Sequence, residues 1–123
     1  MKKESKILWQ ELPEDHDYPA AWSYLSLTYD ESSVNQMVKN LRAAPKAEFK
    51  AKDIFRASGL SLLWVSNSHI KKDKEKIKEG TPLDPLLLVR DQANGKVIIA
   101  DGYHRLCAVY QFDEDAIIPC KIV

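Results

Sequence analysis

The sequence lacks the features that mark several large protein classes. No apolar run approaches the ~20 residues that a membrane-spanning helix needs, and the charged start Met1–Glu4 leads into no apolar signal-peptide segment. No Walker loop, serine-hydrolase elbow or zinc motif is present. These absences predict a cytoplasmic protein without a membrane partner.

Net charge is absent and cysteine is scarce. Lys and Arg number 18, and Asp and Glu also number 18, so no overall field attracts DNA, RNA or acidic lipid. A nucleic acid is therefore not expected as a direct ligand. Cys107 and Cys120 do not have the spacing of zinc ligands, and their thiols are expected to stay reduced.

The first half of the chain is predicted to be mostly helical. Asp17, followed two residues later by proline, predicts one helix start, and Asp30 predicts the cap of a second helix with one apolar face. A short helix is expected over Asp53–Ser58, and a buried strand or apolar extended run over Leu60–Val65. We therefore predict that residues 1–65 form an N-terminal helical extension.

The second half alternates helices with strands. An Asn-Gly turn between two apolar runs predicts a β-hairpin, and Pro119 indicates that the last strand lies at a sheet edge or carries a break in its ladder. The expected elements are His69–Glu79, Leu86–Val89, Val97–Ala100, His104–Phe112 and Ile117–Val123. The fold class is thus α+β, a mixed α/β domain spanning residues 1–123 with its core at 66–123.

The turn Asp101-Gly102-Tyr103-His104-Arg105, between a buried strand and a helix, carries the chemistry of an anion site. Gly102 permits close backbone approach, and the first N–H groups of a helix lack intrahelical partners. His104 and Arg105 add side-chain donors, and Asp101 is suited to bind a hydroxyl or a magnesium ion. A phosphate-binding loop is predicted here.

The same turn has a second interpretation of equal weight when spacing alone is considered. Asp101 then caps the helix, Gly102 permits the turn, His104 packs and Arg105 forms a surface salt bridge. Neither composition nor periodicity separates this structural role from ligand binding.

A family resemblance favours ligand binding. The Pro82–Val89 run, the hairpin, the stretch Ile99–Ala108 and the closing Ile118-Pro119-Cys120 resemble the core of the ParB/sulfiredoxin superfamily. The Ala-Asp-Gly-Tyr-His-Arg turn and the stretch 51–60 resemble a small branch of uncharacterised bacterial proteins. The superfamily resemblance covers residues 66–123 and implies that the turn holds the phosphates of a nucleotide.

Carried over by position, the resemblance implies that Gly102, Tyr103, His104 and Arg105 bind the phosphates. The preceding helix often contributes too, which implies roles for Ser68 and Lys72. The implied cofactor is ATP, ADP or CTP with magnesium.

Three chemistries occur on this scaffold. Sulfiredoxins need a cysteine where this chain has Tyr103, so that activity is not expected. ParB proteins clamp DNA through a further helix-turn-helix domain, which this chain is not expected to contain. Free-serine kinases carry the nearest turn, Asp-Gly-His-His-Arg, and use a carboxylate as base. Their resemblance implies catalytic roles for Asp101 and His104.

The base itself is not identifiable from the sequence. Asp84, Asp101 and Glu79 are the nearest carboxylates along the chain. Two hypotheses follow. The domain is a phosphotransferase or nucleotide hydrolase, or it is a non-catalytic binding module that acts through protein partners or DNA-associated proteins.

Overall fold

The computed structural model describes residues 6–62 and 68–123 and confirms the mixed α+β class. Within these residues, the chain forms five α-helices and a four-stranded sheet. The helices are α1 (Asp17–Leu25), α2 (Glu31–Ala43), α3 (Ala51–Ser58), α4 (Ser68–Glu79) and α5 (Tyr103–Phe112). The strands are β1 (Ala47–Lys50), β2 (Leu86–Asp91), β3 (Lys96–Asp101) and β4 (Ile117–Ile122).

The strands lie in the order β1-β4-β2-β3. β2 and β3 form the predicted antiparallel hairpin, and β1 runs antiparallel to β4. The two pairs are joined by a parallel contact between β2 and β4, in which Leu86 lies opposite Cys120. The sheet is therefore mixed, with a hairpin on one side and a pair distant in sequence on the other.

Helices cover both faces of this sheet, which makes a three-layer arrangement. Leu86 and Leu88 of β2 belong to the core beneath α3, α4 and α5, whereas Leu87 and Val89 belong to the core beneath α1 and α2. Successive side chains of a strand point to opposite faces. The continuous apolar run of β2 is therefore explained by burial on both sides.

Several local predictions are confirmed. The Asp30 carboxylate accepts the N–H of Ser33 at 3.2 Å and caps α2. Gly59 and Gly95 have φ values of 68° and 64° where α3 and the hairpin turn end, because left-handed backbone favours glycine. The proposed Asn67 cap of α4 lies outside the described residues.

Other local predictions are wrong. Asp17 does not cap α1, since its carboxylate accepts the N–H of the earlier residue Glu14 at 2.9 Å. Of the two alternatives for Leu60–Val65, the buried strand does not form over residues 60–62, where Leu60 and Ser61 are exposed; residues 63–65 lie outside the described ranges, and there the prediction stays a prediction. The helical extension also contains a strand, β1, which the sequence pattern did not reveal.

β4 is not an edge strand, because β1 and β2 flank it. Pro119 is nevertheless tolerated there. The parallel register with β2 begins only at Cys120, one residue after the proline. The missing N–H of Pro119 therefore lies outside the residues that pair with β2.

Candidate functional site

The predicted turn lies between the end of β3 and the start of α5. Gly102 has φ +109°, a conformation that side chains other than glycine rarely adopt. A Cβ at this position would lie 2.8 Å from Leu86 Cγ and 2.9 Å from Arg105 Nη2. Gly102 is thus needed both for the backbone conformation and for the close approach of its neighbours.

A cleft of about 250 Å³ opens at this turn, because α4 packs against α5. It is lined by His69, Lys72, Asp73 and Lys76 of α4 and by the turn residues Asp101–Arg105. Six predicted residues, Lys72 and the five of the turn, therefore meet at one site. Ser68 is not among the described residues that line the cleft, and Glu79 lies at the exposed end of α4.

Arg105 is held from two sides. Its Nη2 lies 3.1 Å from Asp101 Oδ2 and donates to the Pro85 carbonyl at 3.4 Å. Both ionic side chains are mostly buried, with 17% and 16% of their surface exposed. The buried Arg105 Nε has no hydrogen-bond partner in the parts of the chain that the structure describes. Arg105 is thus a fixed, partly shielded cation rather than a flexible surface charge.

The two histidines of the cleft lie side by side. The rings of His69 and His104 have centroids 4.8 Å apart and are tilted by 34°. Burial lowers the pKa of His104, and the nearby His69 lowers it further, while the Asp73 carboxylate opposes both effects. His104 is therefore neutral near pH 7 and can donate or accept a hydrogen bond.

Asp73 is the carboxylate that sequence reasoning missed. It is half-buried in the cleft, and this burial raises its pKa, against the attraction of Arg105 and Lys76. The mixed charges of residues 71–76 indicated a solvated face instead. Asp73 stands three residues after Ile70 and four before Ile77, both fully buried, so helical spacing places it on the inner face of α4.

The Tyr103 hydroxyl is used in a hydrogen bond within the protein. That hydroxyl donates to the Ser61 carbonyl and ties the start of α5 to the end of the 6–62 range. Burial raises the pKa of Tyr103, with a smaller effect from Cys107. The backbone of Tyr103, rather than its side chain, remains suited to bind a ligand.

A second group of carboxylates lies close to Arg105. Asp17 and Asp84 contact each other through their carboxyl groups, and the pKa of each is raised chiefly by burial. The positive charge of Arg105 lowers the pKa of both carboxyl groups, whereas the negative charge of Asp101 raises the pKa of Asp17. Asp84, one of the predicted bases, is therefore near the turn but outside the residues that line the cleft.

Magnesium is the metal that the predicted nucleotide implies. Mg²⁺ is usually held by one or two carboxylates together with substrate phosphates. Asp101, the predicted ligand, lines the cleft, and so does Asp73. In the structure, Asp101 forms an ion pair with Arg105. A magnesium ion would compete with Arg105 for the Asp101 oxygens.

None of the helices in the described ranges is long and apolar enough to cross a membrane. Comparison with protein-family models, with curated proteins and with solved structures finds no match to this chain.

Proposed function

We propose that the cleft between α4 and α5 binds a nucleotide, such as ATP, ADP or CTP, or another phosphate-bearing ligand. One observation carries the proposal. Five basic side chains from two helices converge on the N-terminus of α5: His69, Lys72, Lys76, His104 and Arg105.

The backbone adds to this attraction. The first N–H groups of α5 have no intrahelical acceptor, and the helix macrodipole favours negative charge at this end. Gly102, immediately before the helix, has φ +109° and lets the backbone turn so that these N–H groups begin at the cleft. Backbone donors and cationic side chains therefore meet in one small cleft.

The charge balance of the cleft suits an anion. Lys72, Lys76 and Arg105 bring three permanent cations, against the two carboxylates Asp73 and Asp101. A bound magnesium ion would supply charge neutralisation for phosphate oxygens, with Asp101 as its carboxylate ligand, which leaves Asp73 free for another role. Lys72 and Lys76 then bind the phosphates as point charges, and Arg105 binds them as a preorganised fork.

Phosphoryl transfer is the reaction that this arrangement supports best. Such a reaction needs mainly positioning and charge neutralisation, which the cations provide. It also needs a group that accepts the proton of an attacking hydroxyl or water. Asp73 faces the same cleft, and its raised pKa makes its carboxylate a stronger base than an exposed aspartate.

The binding proposal is tested by isothermal titration and thermal shift with ATP, ADP, CTP and GTP, with and without magnesium. A ligand at a hundred times its Kd stabilises the protein by about 2.7 kcal/mol. Lys72→Ala is expected to weaken binding about tenfold or more. Lys71→Ala is the matched control, because Lys71 is exposed on the same helix and does not line the cleft.

Binding of none of these nucleotides, or equal losses in Lys72→Ala and Lys71→Ala, contradicts the proposal. Catalysis is tested separately by following release or transfer of the terminal phosphate. Asp73→Asn is expected to bind nucleotide but to lose turnover. Binding without any turnover by the parent protein supports the non-catalytic hypothesis instead.

A further inference from the structure

A cluster of metal-ligating side chains lies outside the cleft. Glu14, His16 and Asp84 each place one donor atom within 4.8 Å of the other two. Glu14 and His16 come from the turn before α1, and Asp84 comes from the segment before β2. The three residues are therefore assembled by the tertiary fold.

Backbone hydrogen bonds fix the segments that carry these side chains. The Leu83 N–H donates to the Leu8 carbonyl at 2.9 Å, and the Gln10 N–H donates to the Leu83 carbonyl at 2.8 Å. The N–H of Glu14 donates to the buried Asp17 carboxylate at 2.9 Å. The ligands are thus attached to backbone that is already held in place.

His16 has the environment of a metal ligand supported by a second carboxylate. Its Nδ1 lies 3.4 Å from Glu14 Oε1, and its Nε2 lies 3.4 Å from Asp17 Oδ1. Two donors bound to one ion at about 2.1 Å lie roughly 3 to 3.5 Å apart. The Asp17 side chain is only 3% exposed, and a buried carboxylate on the far ring nitrogen is the usual way to orient a ligating histidine.

In the part of the chain that the structure describes, the carboxyl groups of the cluster form no ion pair with a lysine or arginine. Glu14, Asp17 and Asp84 contribute three carboxyl groups, and Asp17 and Asp84 are in mutual contact. Within the described residues, none of them has a lysine or arginine within 4.0 Å, and His16 is the basic group that Glu14 and Asp17 contact. Arg105 acts on Asp17 and Asp84 from a greater distance and is paired with Asp101. Buried carboxylates need a paired cation or a metal, so one further positive charge suits this position.

We propose that Glu14, His16 and Asp84 bind one divalent transition-metal ion, with Asp17 positioning the imidazole of His16. One nitrogen and two carboxylate oxygens suit Zn²⁺ or Mn²⁺ better than Mg²⁺ or Ca²⁺, which prefer oxygen ligands alone. Water completes the coordination, because Glu14 and His16 are exposed. The site shares no residue with the cleft and does not depend on nucleotide binding.

The test is calorimetric titration of the full chain, without an affinity tag and freed of metal by EDTA, with ZnCl₂ and with MnCl₂. One ion per chain is expected. Glu14→Gln and His16→Ala should each weaken binding at least tenfold, while circular dichroism shows an unchanged fold. Asp15→Asn is the matched control: it removes a carboxylate between the two ligands, and Asp15 is exposed and outside the cluster.

Absence of one-to-one binding for both ions overturns the proposal. It is equally overturned if Asp15→Asn loses as much affinity as Glu14→Gln, or if His16→Ala binds as tightly as the parent. Competition from the thiols is not expected, because Cys107 and Cys120 are buried. A tenfold loss in Asp17→Asn, with the fold intact, supports the positioning role of Asp17.

Discussion

Gly102 combines two constraints that a single alanine substitution tests. The residue has φ +109°, and an added Cβ would meet Leu86 Cγ at 2.8 Å and Arg105 Nη2 at 2.9 Å. We expect Gly102→Ala to lower the free energy of unfolding by about 2–4 kcal/mol, from backbone strain and overpacking together. Urea unfolding followed by circular dichroism measures the change.

Gly95 provides the control for this effect. Its φ is also positive, at +64°, but no atom lies within 4 Å of an added Cβ. Gly95→Ala therefore isolates the cost of left-handed backbone, about 1 kcal/mol. Equal losses in the two variants would show that close approach to Leu86 and Arg105 contributes nothing.

If the cleft binds a phosphate ligand as proposed, the lowered pKa of His104 makes that binding depend on pH. Burial and His69 disfavour the imidazolium in the free protein, whereas a bound phosphate favours it. On binding, the pKa of His104 would rise and a proton would be taken up, so affinity should increase as the pH falls through the pKa of His104 in the complex. Titration calorimetry in buffers of different ionisation enthalpy measures this uptake.

His104→Gln keeps a side-chain donor but removes the titration. The ligand's own phosphate titrates near pH 6, and this contribution is the same in parent and variant. We expect the variant to show a flatter dependence of affinity on pH. An identical dependence in both proteins would exclude His104 from the binding site.

At the scale of elements, α2 ends in a contact that no local pattern indicates. The Lys121 side chain is buried, and its Nζ donates to the Arg42 carbonyl in the last turn of α2 at 2.7 Å. The residues are 79 positions apart. The cation therefore satisfies a helix-end carbonyl and interacts favourably with the negative end of the macrodipole.

Lys121→Met keeps most of the apolar stem but leaves this carbonyl without its donor. We expect a loss of about 1–2 kcal/mol in the free energy of unfolding. Lys39→Met, on the exposed surface of α2, is the control and should change stability by about 0.5 kcal/mol or less. Chemical denaturation measures the loss of unfolding free energy in each variant. Equal losses in Lys121→Met and Lys39→Met would show that only the apolar part of the Lys121 side chain contributes to stability.

The elements themselves were predictable where local signals agree. The hairpin, α5, the Asp30 cap and the glycine end of α3 all follow from turn residues and periodicity. β1 was missed because it has only four residues, of which only Ala47 is partly buried, and so short a strand carries no usable alternation. Its strand conformation comes from pairing with β4.

The sequence left two alternatives for β4, an edge position or a break in its ladder, and the assembled sheet favours the second. A proline in a strand is ordinarily evidence for an edge. Whether Pro119 lacks a partner depends on where the register with β2 begins, and that register belongs to the assembled sheet.

At the scale of the whole molecule, both thiols lie in the interior. Cys107 and Cys120 are fully buried, and burial raises the pKa of Cys120 to about 11. Because the thiolate is the reactive form, we expect neither cysteine to react with Ellman's reagent at pH 8 in the native protein. Both should react in denaturant, and rapid reaction of either one under native conditions contradicts this packing.

The candidate sites differ in how far the sequence indicated them. The local structure of Asp101–Arg105 was predictable, because a strand, a glycine and a helix start are adjacent in the chain. Asp73 and the group formed by Glu14, His16 and Asp84 were not, since their positions depend on which helix face packs inward and on how the segment 8–17 lies beside Leu83.

Composition, caps and apolar periodicity by themselves determined the mixed α+β class, the hairpin and the strand-to-helix turn at Asp101–Arg105, because each depends on residues close together in the chain. The tertiary structure alone decided the strand order, the convergence of α4 on the turn and the meeting of Glu14 with Asp84. Those depend on contacts between distant residues, whose partners are selected by burial and register across the whole sheet.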